Sequence, residues 1–206
     1  MVSILASDLS TRDRHHLMTS TILPRPIAWI STLGPDDQVN LAPFSYYNGV
    51  SAKPPLLSVS LGTRRSGMPK DTLVNIRARK EFVVHVVDEA HAHHMVETSG
   101  DFPPEESELD IVGLRAVPSD EVAVPRLADA PVAMECVLHD EYTPPEASAT
   151  MVIGRIVKWH VRDGLLTGDG DEGDFTADVH RLRPLGRLGY DHYCPVREVF
   201  EMKAPR

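Results

Sequence analysis

Between Arg25 and Thr72 the chain runs through three segments whose side chains could recognise a ligand: RPIAWIST, then NLAPFSYYNGVS, then KDT after Arg64 and Arg65. Ser31, Thr32, Ser45, Asn48 and Ser51 supply short hydroxyls and an amide, Tyr46 and Tyr47 supply flat apolar surface, and Arg64, Arg65 and Lys70 supply positive charge. A phosphate monoester is held by fixed N–H donors, hydroxyls and a cation, which a helix N-terminus delivers together. Lys70-Asp71-Thr72 stands at an expected helix start. A fused aromatic ring needs flat packing and small polar groups along its edge. The set suits an anionic, flat, aromatic ligand.

Taken singly, each segment is ordinary: a capped surface helix with solvated cations, or a Ser-Tyr-Tyr-Asn-Gly turn with aromatic packing. Their combination points to flavin mononucleotide (FMN). Hydride transfer to a flavin needs no side-chain acid or base, because the cofactor carries that chemistry. No catalytic residue is therefore assigned, and the chain shows no conventional triad or dyad.

These residues must be positioned by strands. Ser7 to about Thr19 reads as an amphipathic opening helix ended by Pro24 and Pro26. Ile27 to Leu33 and Val39 to Phe44 read as strands joined by a Gly34-Pro35-Asp36-Asp37 turn, a hairpin. Ser45 to Asn48 fall where the strand exits into a loop, and Lys53-Pro54-Pro55 precedes the alternating strand Leu57–Leu61. Asp71 or Thr72 is the expected N-cap of a helix to about Lys80, with Leu73 and Ile76 inward. A buried strand over Glu81 to Val87 and a short helix over Glu89 to Thr98 follow. Ser99 to Pro131, rich in Pro, Glu and Asp, reads as connection, a lid or a partner-facing excursion. Val132, Met134, Cys136 and Leu138 share one strand face, and Met151, Ile153, Val157, Trp159 and Val161 share another. Seven Pro-punctuated strands with few helices point to a mainly β barrel with peripheral helices.

The 206 residues set a single domain as the default. A net charge of -9 argues against nucleic acid as a partner. Cys136 and Cys194 form no Cys-x-x-Cys pair, which fits a reduced, cytoplasmic setting. The opening residues lack a signal peptide's basic and apolar regions, and no window nears 18 uninterrupted apolar residues, so neither secretion nor membrane insertion is expected.

Three patterns are decoys. Gly168 to Gly173 spells G-x-G-x-x-G, but its three acids would repel a pyrophosphate. As a calcium loop, the same stretch places Gly173 and Asp174 where an acid or Asn and then Gly are required. In the His91, His93 and His94 cluster, helical spacing puts His91 and His94 on one face without a nearby third ligand, so it reads as an exposed helix face and no metal site is expected. Cys136, in an alternating apolar strand, reads as a buried thiol.

RPIAWIST, NLAPFSYYNGVS, PPLLSVS, KDTLVNI, EFVVHVV, SELD and RLGYDHY, in order from about Thr21 to Met202, resemble the flavin reductase-like family in its flavoredoxin-type branch. The resemblance implies an FMN-binding split β-barrel of Greek-key type working as a homodimer, with FMN near the subunit interface. It implies Ser31 and Thr32 beside the ring, Ser45, Tyr46, Tyr47, Asn48 and Ser51 along ring and ribityl chain, and Lys70, Asp71 and Thr72 at the phosphate. Arg64 is a further phosphate candidate that Arg65 could replace, and Tyr190 and His192 lie in a late segment that approaches the flavin in similar proteins. Tyr47 stands where Phe is frequent, and Tyr190 where a second glycine often follows RLG. The implied activity is hydride transfer from NADH or NADPH to flavin and onward to oxygen, a partner protein or another flavin. The alternatives are a flavin-binding electron carrier without NAD(P)H oxidation and a flavin-free interaction protein. Trp159 and apolar strands left uncovered by a small barrel add to the expectation of a dimer.

Overall fold

The computed structural model describes residues 1–64, 66–103, 106–168 and 175–203. Arg65 and the glycine-rich decoy from Asp169 onward lie outside the described residues. Helix α1 (Thr11–Thr21) begins where the Ser10 hydroxyl accepts the Asp13 N–H at 3.1 Å, an N-cap bond. The short strand β1 (Arg25–Pro26) leads into β2 (Ala28–Leu33), which pairs with β3 (Val39–Phe44) in the expected hairpin. The segment expected to be a loop after β3 is instead strand β4 (Tyr47–Ala52), paired with β5 (Pro55–Gly62).

Helix α2 (Asp71–Arg79) starts one residue early, with Lys70 as its N-cap residue. Asp71 pairs with Arg64 instead of capping. Asp71 in the first turn and Arg77 and Arg79 in the last suit the helix dipole, while Leu73 and Ile76 face inward. Beyond it lie β6 (Glu81–Val86), α3 (Ala92–Glu97), α4 (Glu108–Val112), β7 (Ala116–Val117) and β8 (Arg126–Leu127). The long strands β9 (Val132–Tyr142) and β10 (Ala149–Val161) follow, then β11 (Leu166–Thr167), β12 (Thr176–Ala177), α5 (Val179–Leu182), β13 (Leu185–Arg187) and β14 (Tyr193–Pro195).

Seven strands form one antiparallel sheet in the order β3-β2-β6-β9-β10-β5-β4, curled until β3 approaches β5. Its concave side encloses Ile30, Leu57, Val59, Leu61, Ile76, Phe82, Val84 and Val152. The segment Ser99–Pro131 is no excursion: Leu109 and Leu127 pack with Trp29 and Leu41, and Val122 and Val124 pack with Leu33 and Val83, on the outer face. Strand β2 is consequently buried along its whole length. The β3 edge is capped as well, because Leu41 N–H donates to the Glu108 carboxylate at 2.9 Å and the Ser107 hydroxyl donates to Val39 O at 2.8 Å. On β4, residues 48–52 are exposed.

The face assignment on β10 is corrected. Thr150, Val152 and Gly154 point inward, while Val157 and Trp159 are exposed. Register shifts at Ile153/Gly154 and Ile156/Lys158 break the alternation, so a strict two-residue period cannot be carried through the strand. Gly154 permits the closest approach here, since a Cβ would overlap the fully buried Phe82 ring. Gly154→Ala should cost about 1–3 kcal/mol of stability by overpacking, read as a lower urea midpoint with an unchanged slope.

His85, wholly buried on β6, holds Trp29 O through Nδ1 at 2.9 Å and accepts Leu127 N–H at Nε2 at 3.0 Å. This requires the neutral ring protonated at Nδ1. Burial pulls its pKa down from 6.5 to about 4, with Arg126 and His91 adding to the effect against the Trp29 carbonyl bond. Folding favours the neutral ring, so its contribution is fully present above pH 6.5 and is lost as pH falls from 6.5 through about 4. About 3 kcal/mol should disappear across that window, measurable by urea unfolding at stepped pH and reduced in His85→Gln.

Candidate functional site

A cleft of about 580 Å³ opens where both ends of the chain meet the sheet. One wall is the end of α1 with His15, His16 and Thr19, and a second is Phe44, Ser45 and Tyr46 leaving β3, with Ser60 and Gly62 of β5 and Lys70 heading α2. The third is Arg187, Leu188, Tyr190, Asp191 and Tyr193, from β13 to β14. The volume is within the range of small-ligand sites, roughly 300–1,000 Å³.

Arg25 joins the three walls. It is 5 % exposed, yet among the described residues its guanidinium meets no carboxylate. Nη1 donates to Thr19 O at 2.6 Å and Ile22 O at 3.0 Å, Nη2 to Leu188 O at 2.8 Å, and Nε to Ser45 Oγ at 3.4 Å. A buried charge held only by neutral acceptors leaves a positive potential directed at the cleft. Arg187 lies 4.4 Å over the Tyr193 ring and bonds its hydroxyl, and burial pushes the Arg187 pKa below its usual value. Lys70 Nζ sits 5.9 Å from the Phe44 ring centre. His16 and Tyr190 pack at 4.9 Å between ring centres, with Tyr190 held at φ 54°. In a chain of net charge -9, three permanent cations line this cleft against one carboxylate, Asp191.

Of the residues expected from sequence, the structure brings Ser45, Tyr46 and Lys70 together on the cleft wall, and Tyr190 joins them. The others lie elsewhere in the isolated chain. Ser31 is buried and donates to Pro125 O at 2.8 Å, and Thr32 accepts from Asn75 Nδ2 at 3.1 Å. Thr72 accepts from Asn40 Nδ2 at 3.1 Å. Tyr47 packs on the core, where burial pushes its pKa up to about 12. Asn48 and Ser51 lie exposed on β4, their side chains accepting from Gly49 N and Lys53 N. Arg64 is paired with Asp71 and with Asp101 at 3.3 Å. His192 does not line the cleft.

Sequence reasoning missed Arg25, Arg187, His15, His16 and Tyr193. Arg25 heads the RPIAWIST segment, and an arginine flanked by prolines before a buried strand was the available signal. The histidine cluster forms no three-ligand group among the described residues: His91 Nδ1 is bonded to Asp88 at 2.6 Å, and its ring lies 6.3 Å from that of His94. Asp120, Glu135 and His160 do converge. Their groups already have partners: Glu135 accepts from three backbone N–H groups and bonds His160, and one Asp120 oxygen pairs with Lys158 at 2.7 Å. Burial raises the Cys136 pKa, as befits an inert thiol. Among the described residues, no helix is long and apolar enough to cross a membrane.

A mainly β fold whose curled sheet leaves a cationic, aromatic cleft defines a class that comparison with known proteins names. Residues 18–176 match the flavin reductase like domain, and the chain belongs to that family. Nitrilotriacetate monooxygenase component B from Bacillus cereus is 35% identical, with 98% of each chain covered and a TM-score of 0.90. The 2-nitrobenzoate 2-nitroreductase NbaA of Pseudomonas fluorescens is also 35% identical, over 99% of this chain and 96% of its own, with a TM-score of 0.88. A split-barrel protein from Shewanella frigidimarina superposes with a TM-score of 0.85 over the whole of both chains at 21% identity, and the fold is that split barrel.

Proposed function

We propose that this protein is an FMN-dependent oxidoreductase that takes hydride from NADH or NADPH and passes electrons to an acceptor, with the chain acting as one domain. FMN is the cofactor that the family supports. The observation that carries the reading is the cleft, where Lys70, Arg25 and Arg187 meet Phe44, Tyr46, Tyr190 and Tyr193. These residues fit the group. The cations complement a phosphate, the aromatic side chains offer packing for a ring, and Ser45, Ser60 and Thr19 offer hydroxyls to a ribityl chain.

Bound FMN would supply a ring that accepts hydride, leaving the side chains to bind, orient and exclude water. Lys70 would neutralise the phosphate from the head of α2, and Arg25 fixes Ser45 and Tyr46 through its bond to Ser45 and its position 6.0 Å from the Tyr46 ring centre. His16 and Tyr190, in tilted ring contact, flank one side of the bound ring's position. Asn48 and Ser51 lie exposed on the β4 edge, where a second copy would complete the site as a homodimer. A monooxygenase component and a nitroreductase among the similar structures fit an onward acceptor that is either a partner protein or a small oxidised molecule.

The test is anaerobic addition of NADH, then NADPH, to FMN-loaded protein. Bleaching of the flavin band with either donor is the expected result and identifies the donor. A band that persists with both would replace the reductase with an electron carrier, and no band after adding FMN would remove the cofactor assignment. Sedimentation as a 22.8 kDa species at micromolar concentration would remove the dimer.

A further inference from the structure

A second recess, of about 760 Å³, opens beside β8 and the end of β10, and it belongs to no part of the flavin cleft. Its wall carries Arg126, Arg162, His160 and Trp159, together with the exposed carboxylates Asp129 and Asp163. Two of these side chains are engaged: Arg162 lies 3.5 Å from Asp88, and His160 is bonded to Glu135. Arg126 makes no hydrogen bond or ion pair among the described residues, although its charge is felt at Asp120 and His85. Its Nε is shut off from solvent, which leaves the two Nη groups to meet an arriving anion.

The surroundings hold that guanidinium in place. Ser31 donates to Pro125 O at 2.8 Å on one side of Arg126, and Leu127 N–H donates to the buried His85 at 3.0 Å on the other. Its strand is thus pinned to β2 and β6 at both flanking residues, which is how a rigid scaffold preorganises a binding group. Trp159 is 49% exposed on the same wall, a flat apolar surface with nothing described packed over it.

We infer that this recess is a second binding site, for a small aromatic carboxylate, with the carboxylate taken by Arg126 and the ring packed on Trp159. The guanidinium fork matches a planar carboxylate in two parallel bonds, and an indole face receives an aromatic ring. The carboxylates of Asp129 and Asp163 oppose anions without apolar surface, so the ring is needed for affinity. This inference is independent of the flavin reading.

Benzoate is the probe, titrated calorimetrically into FMN-loaded protein with tryptophan fluorescence followed in parallel. Trp29 is 1% exposed, so a binding-linked fluorescence change reports Trp159. Saturable binding with a Kd on the order of a millimolar is expected. It should weaken tenfold or more in Arg126→Met and several-fold in Trp159→Ala, with the flavin spectrum unmoved and the Arg126→Lys variant intermediate. The proposal fails if benzoate shows no saturable heat, if Arg126→Met binds equally well, or if inorganic phosphate binds as tightly as benzoate. A benzoate-induced shift of the flavin band would place the ligand in the other cleft and overturn it too. So would a change in sedimentation of Arg126→Met, which would make a second copy the occupant.

Discussion

Arg25→Met should weaken FMN binding a hundredfold or more, and this is the largest functional effect that the structure leads us to expect. The substitution removes a cation from the cleft and four donated bonds that tie Thr19, Ile22, Leu188 and Ser45 together. Methionine keeps approximate length and apolar bulk, but the Thr19, Ile22 and Leu188 carbonyls lose their shared donor and the walls lose their common reference point. A hundredfold change corresponds to about 2.7 kcal/mol, within what charge-assisted bonds contribute. Flavin-fluorescence titration measures the affinity, and thermal unfolding of the FMN-free variant separates the loss of stability. Arg25→Lys should recover little, because one ammonium cannot reach acceptors on three sides. Wild-type affinity in Arg25→Met would exclude this cleft as the flavin site.

Glu135→Ala should produce the largest loss of stability, about 3–5 kcal/mol, by leaving one buried and two half-buried backbone donors unpaired. The carboxylate is wholly buried and accepts N–H groups from Asp120 at 2.9 Å, Glu121 at 2.6 Å and Val122 at 3.0 Å, besides bonding His160. It clasps the loop whose Val122 and Val124 cover Leu33 and Val83. Burial pushes its pKa up, but the bonds from Asp120, His160, Glu121 and Val122 outweigh this and hold it below 4.5. The contribution is therefore present above pH 4.5 and is lost as pH falls through that lowered value, a step below the one set by His85. Urea unfolding should show the loss, with faster amide exchange at residues 120–122. Glu135→Gln, which keeps an acceptor, should lose less.

What could be read from the sequence was whatever local chemistry decides. The β2–β3 hairpin follows from Gly34-Pro35-Asp36-Asp37 between apolar runs, and Val39 to Phe44 is the strand found. Strand β4 escaped because YNGVSA has neither alternation nor apolar density, and only pairing with β5 makes it a strand. The Ser99–Pro131 segment escaped for a different reason. Its helix α4 and its loops are held by long-range bonds from Glu108 and Glu135 to backbone N–H groups, which composition does not reveal. In the cleft, the motif-bearing Ser45, Tyr46 and Lys70 were legible as a local pattern. Arg25 and Leu188, bonded across 163 positions of sequence, were not.

The unequal edges of the main sheet govern how copies of this chain can add to one another. Sheet-edge pairing propagates into a filament when each added copy offers a fresh edge, as in cross-β growth. Here Ser107 and Glu108 occupy backbone groups of β3 at one end, and at the other end β4 has β5 as its one ladder neighbour among the described residues. Two copies joined through β4 would consume both available edges in a single isologous event, so assembly along the hydrogen-bonding direction stops at two. The helix that blunts β3 would then act as a chain terminator against polymerisation, a property of the assembled sheet that no residue of the cationic cleft supplies.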